Sequence, residues 1–189
     1  MSPGQLPATP RPVTIAAMRR RHLRGVHAVE LAANSHPWAQ SLFAGELSLG
    51  ELRCYVVALD GSTVVGFGGL MYTGYEAHVT NVAVDPGWLR RGMATAIMSV
   101  LMDACVARGV DDVTLEVRVS NVAAQRLYHR FGFIPGGIRP AYYREPTEDA
   151  IIMWATDIAA PDMQTRLAAV PWPSGMRRDP SVAPSTIGP

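Results

Sequence analysis

The chain reads VTNVAVDPGWLRRGMATAIMSV from Val79 to Val100 and VTLEVRVSNVAAQRLYHRFGF from Val113 to Phe133. In the first stretch an apolar strand ends at Asp85-Pro86, and a glycine turn then leads directly into a helix. Such a turn points several backbone N–H groups outward, and the helix dipole adds partial positive charge, so it suits an anion. Two arginines in the turn suit phosphate oxygens. The stretch therefore predicts a site for a phosphorylated ligand beside a strand that carries a carboxylate.

Hydrophobic periodicity and turn residues place further elements around this stretch. We predict strands at residues 13–18, 54–60, 64–72, 78–84, 113–119 and 150–155, and helices at residues 22–33, 39–49, 93–108 and 122–130. Strands come first, and helices and strands then alternate, which indicates an α/β (α+β) fold with a mixed central sheet flanked by helices. We expect this sheet to form a single domain over residues 13–158.

Prolines concentrate at the two ends of the chain, where residues 1–12 and 159–189 hold ten of the 15 prolines. Proline-rich segments with few apolar residues bury little area, so we predict a disordered N-terminal tail and a disordered C-terminal tail. The alternative for the C-terminal tail is that it docks a partner through Trp172.

The composition excludes several kinds of protein. There is no long apolar run and no apolar signal-peptide core, so we expect a cytoplasmic protein with no membrane partner. All 17 basic residues are arginine, which excludes a P-loop lysine and a lysine Schiff base. The net charge of +1 gives no reason to expect nucleic-acid binding. Cys54, Cys105 and the five histidines form no metal-ligand spacing, so we expect reduced thiols and no metal.

A second pattern follows the glycine turn: Asn121-x-x-Ala124-x-x-Leu127-Tyr128-x-x-Phe131-Gly132-Phe133. Together with Arg90-Arg91-Gly92-Met93-Ala94 and the strand between the two patterns, it resembles the GNAT acetyltransferase superfamily. The resemblance covers roughly residues 13–158 and implies the GNAT fold, acetyl-CoA as acetyl donor and an N-acetyltransferase activity.

Four shorter motifs narrow the resemblance to the RimI group of that superfamily. They are Pro37-Trp38, Leu115-Glu116-Val117-Arg118 before Ser120-Asn121, Tyr142-Tyr143, and Glu148-Asp149-Ala150-Ile151-Ile152-Met153. That group acetylates the N-terminal alanine of a small-subunit ribosomal protein. The resemblance therefore implies a protein or peptide N-terminus as the acceptor.

The resemblance also implies which residues bind acetyl-CoA. Val82, Ala83 and Val84 would exchange backbone hydrogen bonds with the pantetheine arm, as an added strand does. The pyrophosphate would lie on Arg90, Arg91, Gly92, Met93, Ala94 and Thr95, and Asn121 would touch the cofactor. One departure stands at Leu89, where the superfamily usually has Gln or Arg, because leucine has no side-chain donor. From the residues alone, the turn could also be a plain surface turn, and Asn121 a helix N-cap.

For catalysis, the resemblance makes Glu116 the general base that takes the proton of the attacking amine. It makes Tyr128 the general acid that protonates the departing CoA thiolate. From the residues alone, Glu116 could equally be a solvated strand glutamate paired with Arg118, and Tyr128 a core aromatic. Cys105 lies on the apolar face of a helix, so we expect direct transfer in a ternary complex rather than a two-step route through a thiol.

The sequence says less about the residues that bind the molecule receiving the acetyl group. His36, Trp38, Tyr142 and Tyr143 could line a peptide groove or simply pack at a loop and a hairpin. Two other functions stay open: acetylation of a small-molecule amine or a lysine, and a non-catalytic CoA-binding module.

Overall fold

The computed structural model describes residues 12–182, so the disorder predicted for residues 1–11 and 183–189 lies outside the described residues. Within that range, eight strands form one sheet in the order β6-β7-β5-β4-β3-β2-β1-β8. They are β1 (Val13–Ala17), β2 (Arg53–Asp60), β3 (Thr63–Thr73), β4 (Glu76–Val84), β5 (Asp112–Arg118), β6 (Ile134–Arg144), β7 (Thr147–Ala155) and β8 (Met176–Arg178).

The sheet is mixed, as predicted from the sequence. The β4–β5 and β1–β8 pairs are parallel, and every other neighbouring pair is antiparallel. The described chain adds five α-helices: α1 (Leu23–Ala33), α2 (Gln40–Ser48), α3 (Met93–Arg108), α4 (Val122–Arg130) and α5 (Pro161–Ala168). The predicted helices and strands up to residue 155 agree with these bounds to within a few residues.

Helices cover both faces of the sheet. Alternate residues of β2 show the arrangement, because Tyr55 and Val57 pack with α1 and α2, whereas Val56 and Ala58 pack with α3. On the α3 face the helix comes very close to β3. A Cβ atom on Gly68 would lie 2.5 Å from the Ile97 side chain, so only glycine allows this approach.

The parallel pairing of β4 with β5 is short, and this positions the site. It covers three residue pairs and ends at His78 opposite Thr114, although both strands continue beyond that point. The register between β3 and β4 also shifts at Thr80, which marks a bulge. Beyond the last pair the two strands separate, so the β4 edge from Val79 to Val84 has no strand partner on its β5 side within the described chain.

The prediction that residues 159–189 form a disordered tail is wrong for the described part of that segment. Residues 161–168 form α5, and residues 176–178 form β8, which pairs with β1. Met163, Leu167 and Val170 pack on the core that α3 and the sheet form. Met163 and Leu167 lie four residues apart on one face of α5, and Val170 follows just beyond its end, so this segment buries apolar area despite its proline content.

Candidate active site

A cavity of about 740 Å³ opens where β4 and β5 separate. Its walls come from the end of α1, the loop before α2, β4, β5, α4 with its N-cap, and the β6–β7 hairpin. Both predicted catalytic residues, Glu116 and Tyr128, line it, together with Val82 and Asn121 from the predicted cofactor site. The topology therefore brings these side chains, from β4, β5 and α4 with its N-cap, around one cavity.

Glu116 projects from β5 with its side chain only 8% exposed. Its Oε2 lies 3.1 Å from Nε2 of His78, and its Oε1 lies 3.3 Å from a guanidinium nitrogen of Arg139. The alternative of a solvated glutamate paired with Arg118 is wrong, because Arg118 forms its ion pair with Glu148 at 3.1 Å. Glu116 is thus a largely buried carboxylate held by two nitrogen-bearing side chains, and it lies at the edge of the cavity.

The sequence analysis missed His78 and Arg139. Burial lowers the pKa of His78, with the nearby Arg139 acting in the same direction and Glu116 opposing it. The imidazole is therefore mainly neutral at pH 7, and a neutral imidazole donates from one nitrogen only. Alternation along β4 gave no signal for this contact, since it depends on the β4–β5 register.

Tyr128 lies on α4, buried and with its ring 6.0 Å from that of Phe133. Among the described residues the Tyr128 hydroxyl has no hydrogen-bond partner. Every fully buried side-chain nitrogen or oxygen in that range does have one, so this hydroxyl is not fully buried. The hydroxyl therefore reaches the cavity that Tyr128 lines. Burial raises the pKa of Tyr128, so the hydroxyl keeps its proton at neutral pH.

The predicted phosphate-binding loop has the backbone that an anion site needs. Arg90 and Gly92 are both left-handed, with φ of 60° and 84°, and Arg90 and Arg91 are exposed. The first intrahelical hydrogen bond of α3 runs from the N–H of Ala96 to the carbonyl of Gly92. The N–H groups of Met93, Ala94 and Thr95 precede that bond, so they are left for another acceptor.

The other predicted cofactor residues lie at the end of β4 and at the N-terminus of α4. Val82, Ala83 and Val84 pair with β3 on one side and have no strand on the other among the described residues. Asn121 is the N-cap of α4, since its Oδ1 accepts from the N–H of Ala124 at 3.1 Å. A free strand edge that leads to free N–H groups fits the amide-bearing arm and the phosphates of CoA.

A buried carboxylate that the sequence analysis also missed ties α1 to the cavity. Glu30 is 1% exposed. Its oxygens accept hydrogen bonds from Nδ2 of Asn34 (2.6 Å), the N–H of Trp38 (3.0 Å) and Nδ2 of Asn81 on β4 (3.1 Å). Glu30 thus fixes the loop between α1 and α2 against the bulged part of β4.

The four residues considered for a peptide groove all line the cavity. Trp38 packs against Phe43, and Tyr142 packs edge-on to Tyr143 with ring centres 5.2 Å apart. The Tyr143 ring also stacks on the guanidinium of Arg118 at 4.0 Å. Burial raises the pKa of Tyr143 to about 12, so its hydroxyl is a donor and lies 3.4 Å from the backbone oxygen of Glu116.

No three His, Cys, Asp or Glu side chains between residues 12 and 182 are grouped closely enough to hold a metal ion. In the same range no helix has the length and apolarity that a membrane crossing requires.

Comparison with known proteins places this architecture in a family. The model of the Acetyltransferase (GNAT) family matches residues 20–133. The [ribosomal protein bS18]-alanine N-acetyltransferase of Escherichia coli strain K12 is 34% identical over 142 residues, which cover 74% of this chain and 95% of that protein. The N-alpha-acetyltransferase RimI of Mycobacterium tuberculosis is 36% identical over 152 residues, covering 77% and 94%.

A solved structure agrees with these matches. The crystal structure of the ribosomal-protein-S18-alanine N-acetyltransferase from Escherichia coli superposes with a TM-score of 0.71 at 33% identity, covering 77% of this chain and 94% of that one. Enzymes of the matched family use acetyl-CoA as acetyl donor. The chain therefore belongs to the GNAT family of N-acetyltransferases and, within that family, is a relative of the RimI enzymes.

Proposed function

We propose that this enzyme transfers the acetyl group of acetyl-CoA to the α-amine of a protein N-terminus, and that its acceptor is the N-terminal alanine of ribosomal protein bS18. The observation that carries the proposal is the placement of Glu116 and Tyr128 around one cavity at the separation of β4 and β5. The sequence identity with relatives that are named for that reaction supports bS18 as the acceptor. Ribosomal proteins are made in the cytoplasm, where we place the reaction.

The α-amine suits the base that the cavity offers. A free α-amine has a pKa near 8, against about 10.4 for lysine, so it gives up its proton more readily. Glu116 lies 3.3 Å from the Arg139 guanidinium and borders the cavity, where a carboxylate can accept a proton. In our proposal Glu116 takes the amine proton, directly or through one water, as the nitrogen attacks the thioester carbonyl.

Tyr128 faces the other product, the CoA thiolate. Its raised pKa keeps the hydroxyl protonated, so it can donate a hydrogen bond to the departing sulfur. A thiol of this kind has a pKa near that of cysteine, about 8.5, and full proton transfer from a buried tyrosine to such a thiolate is uphill. In place of the general-acid role that the resemblance implies, we therefore propose that Tyr128 stabilises the leaving thiolate by hydrogen bonding, with the proton finally coming from solvent.

Acetyl-CoA supplies the activated acetyl group, and the chain supplies its binding. The free edge of Val82–Val84 would align the pantetheine arm, and residues 90–95 would hold the pyrophosphate with their N–H groups and two arginines. Asn121 starts α4 at the same cavity, where it would contact the cofactor while it caps the helix. Transfer is then direct. Cys105 is fully buried in the core, and burial raises the pKa of its thiol, so it is no nucleophile.

Mass spectrometry of two peptide reactions tests the acceptor. One peptide carries the bS18 N-terminus with a free alanine amine, and the other has the same sequence with a blocked N-terminus and one internal lysine. We expect one acetyl group, on the α-amine of the first peptide alone. Acetylation of the lysine peptide at a similar rate would contradict an N-terminal acceptor, and acetylation of free small amines in preference to both would favour a small-molecule substrate.

A further inference from the structure

The chain that follows β7 returns to the phosphate-binding loop. We call residues 161–182 the C-terminal extension. Within it, Pro173 packs directly on Gly92: a Cβ atom built on Gly92 would lie 2.6 Å from Cβ and 2.8 Å from Cγ of Pro173. The side chain of Met176 comes next, at 3.7 Å from the same point. The loop therefore meets the extension at the one position where the loop has no side chain.

Contacts outside the loop fix the position of Pro173. On its C-terminal side β8 pairs with β1, and the N–H of Val13 donates to the carbonyl of Gly175 at 2.9 Å. Arg178 forms an ion pair with Asp103 of α3 at 2.6 Å. The same guanidinium lies over the ring of Trp172, whose Nε1 donates to the carbonyl of Met176 at 3.0 Å. The turn that carries Pro173 is thus closed on itself and attached to both β1 and α3.

The loop needs such support because its own conformation is unfavourable. Arg90 is left-handed at φ 60°, which costs free energy for a residue with a Cβ atom, and Gly92 is left-handed two residues later. Strained backbone of this kind persists where the surrounding structure holds it. Within the loop the side-chain support is the Arg91 guanidinium, 4.8 Å above the Trp88 ring, whereas Leu89 is 55% exposed and offers no donor.

We propose that Pro173 is a positioning residue for acetyl-CoA: by packing on Gly92 it holds residues 90–95 in the conformation whose N–H groups receive the pyrophosphate. The inference rests on the proposed function in one respect, namely that residues 90–95 bind the pyrophosphate. An ordered loop loses less conformational freedom when it binds a ligand. We therefore expect Pro173 to affect the affinity for the cofactor and not the rate of the chemical step.

The experiment compares the full-length enzyme with Pro173→Gly, with Pro173→Val as the variant that restores bulk, and with Met163→Ala as a matched control. Met163 lies in the same extension but packs on Gly132, not on the loop. For each protein we would measure hydrogen exchange of the amides of residues 90–95 without ligand, the Kd of CoA by calorimetry, and kcat at saturating acetyl-CoA.

We expect Pro173→Gly to exchange faster at these amides and to bind CoA roughly threefold to tenfold more weakly, with kcat within about twofold of the wild type. Pro173→Val should recover most of the affinity, and Met163→Ala should keep it even where its melting temperature falls. Unchanged exchange and Kd in Pro173→Gly would overturn the proposal, as would an equal loss of affinity in Met163→Ala. Wild-type enzyme that binds no CoA would instead contradict the proposed function, while the exchange data would still decide whether Pro173 orders the loop.

Discussion

The Nε2 atom of His78 lies 3.1 Å from Oε2 of Glu116, at the point where β4 and β5 stop pairing. Arg139, from the neighbouring hairpin, approaches the other carboxylate oxygen at 3.3 Å. The Glu116 carboxylate of β5 is thus contacted by one side chain from β4 and one from β6. A buried carboxylate needs such partners, because an unpaired charge would be costly to bury. The remaining face of Glu116 is directed to the cavity, where a substrate amine or a water can reach it.

Replacing His78 by glutamine should make the fold less sensitive to acid. Burial lowers the pKa of His78 in the folded protein below the ordinary value of 6.5, despite the opposing effect of Glu116. Between the lowered pKa and 6.5 the unfolded chain binds more protons than the folded one, so stability falls as the pH falls through this window. The loss of stability caused by His78 is absent well above pH 6.5 and is complete below the folded-state pKa of His78. His78→Gln should therefore lose less stability between pH 7 and pH 5 than the wild type.

Urea unfolding at the two pH values measures this difference. The pKa of His22 is also lowered, first by burial and then by Arg21 and Arg19, so part of the acid sensitivity should remain in the variant. Equal losses in the wild type and in His78→Gln would show that His78 does not titrate as its surroundings predict.

Replacing Tyr128 by phenylalanine should slow turnover without weakening the fold. The hydroxyl faces the cavity and has no hydrogen-bond partner among residues 12–182, so its removal leaves no partner unsatisfied. Phenylalanine keeps the packing against Phe133. We expect kcat to fall at least roughly tenfold, because the leaving thiolate loses a donor, with the melting temperature nearly unchanged. Steady-state kinetics and a thermal melt measure the two effects, and a wild-type kcat would remove Tyr128 from the reaction.

Replacing Glu30 by alanine should loosen the acceptor side of the cavity. The change leaves the side-chain amides of Asn34 and Asn81 and the N–H of Trp38 without their acceptor. Hydrogen bonds to a buried charge are among the stronger ones, so we expect a loss of roughly 3 kcal/mol in the free energy of unfolding. The KM for the peptide should rise more than the KM for acetyl-CoA.

Chemical unfolding and peptide kinetics on Glu30→Ala measure these effects, with Glu51→Ala as the control. Glu51 is exposed and lies outside the cavity, so its variant should match the wild type in both. A Glu30→Ala enzyme with wild-type stability and peptide KM would contradict the role of Glu30 in fixing the loop before α2.

Strong local signals explain why the central part of the fold could be predicted from sequence. Gly92 and Gly109 are both left-handed and bracket α3, and Asn121 caps α4, so each boundary is encoded by the residue that stands there. The resemblance of this same stretch to the GNAT superfamily implied the candidate site. Glu116 and Tyr128 could therefore be named before it was known which elements surround them.

Contacts between distant segments account for what sequence reasoning missed. His78 and Arg139 meet Glu116 only through the sheet register, and no pattern along β4 or β6 encodes that register. In the C-terminal extension, proline content suggested disorder, yet Pro161 occupies the first turn of α5, where proline is tolerated. The spacing of Met163 and Leu167, four residues apart on one helical face, was the signal that could have revealed the helix.

The most direct test of the account is the turnover of Glu116→Gln measured beside its affinity for CoA. Glutamine keeps the size of the side chain but cannot accept the amine proton, so we predict that kcat on the bS18 peptide falls at least roughly a hundredfold. The Kd of CoA should stay within about twofold of the wild type, and Glu76→Gln, at the exposed start of β4, should behave as the wild type in both. A Glu116→Gln enzyme with wild-type kcat would contradict the claim that this carboxylate is the base.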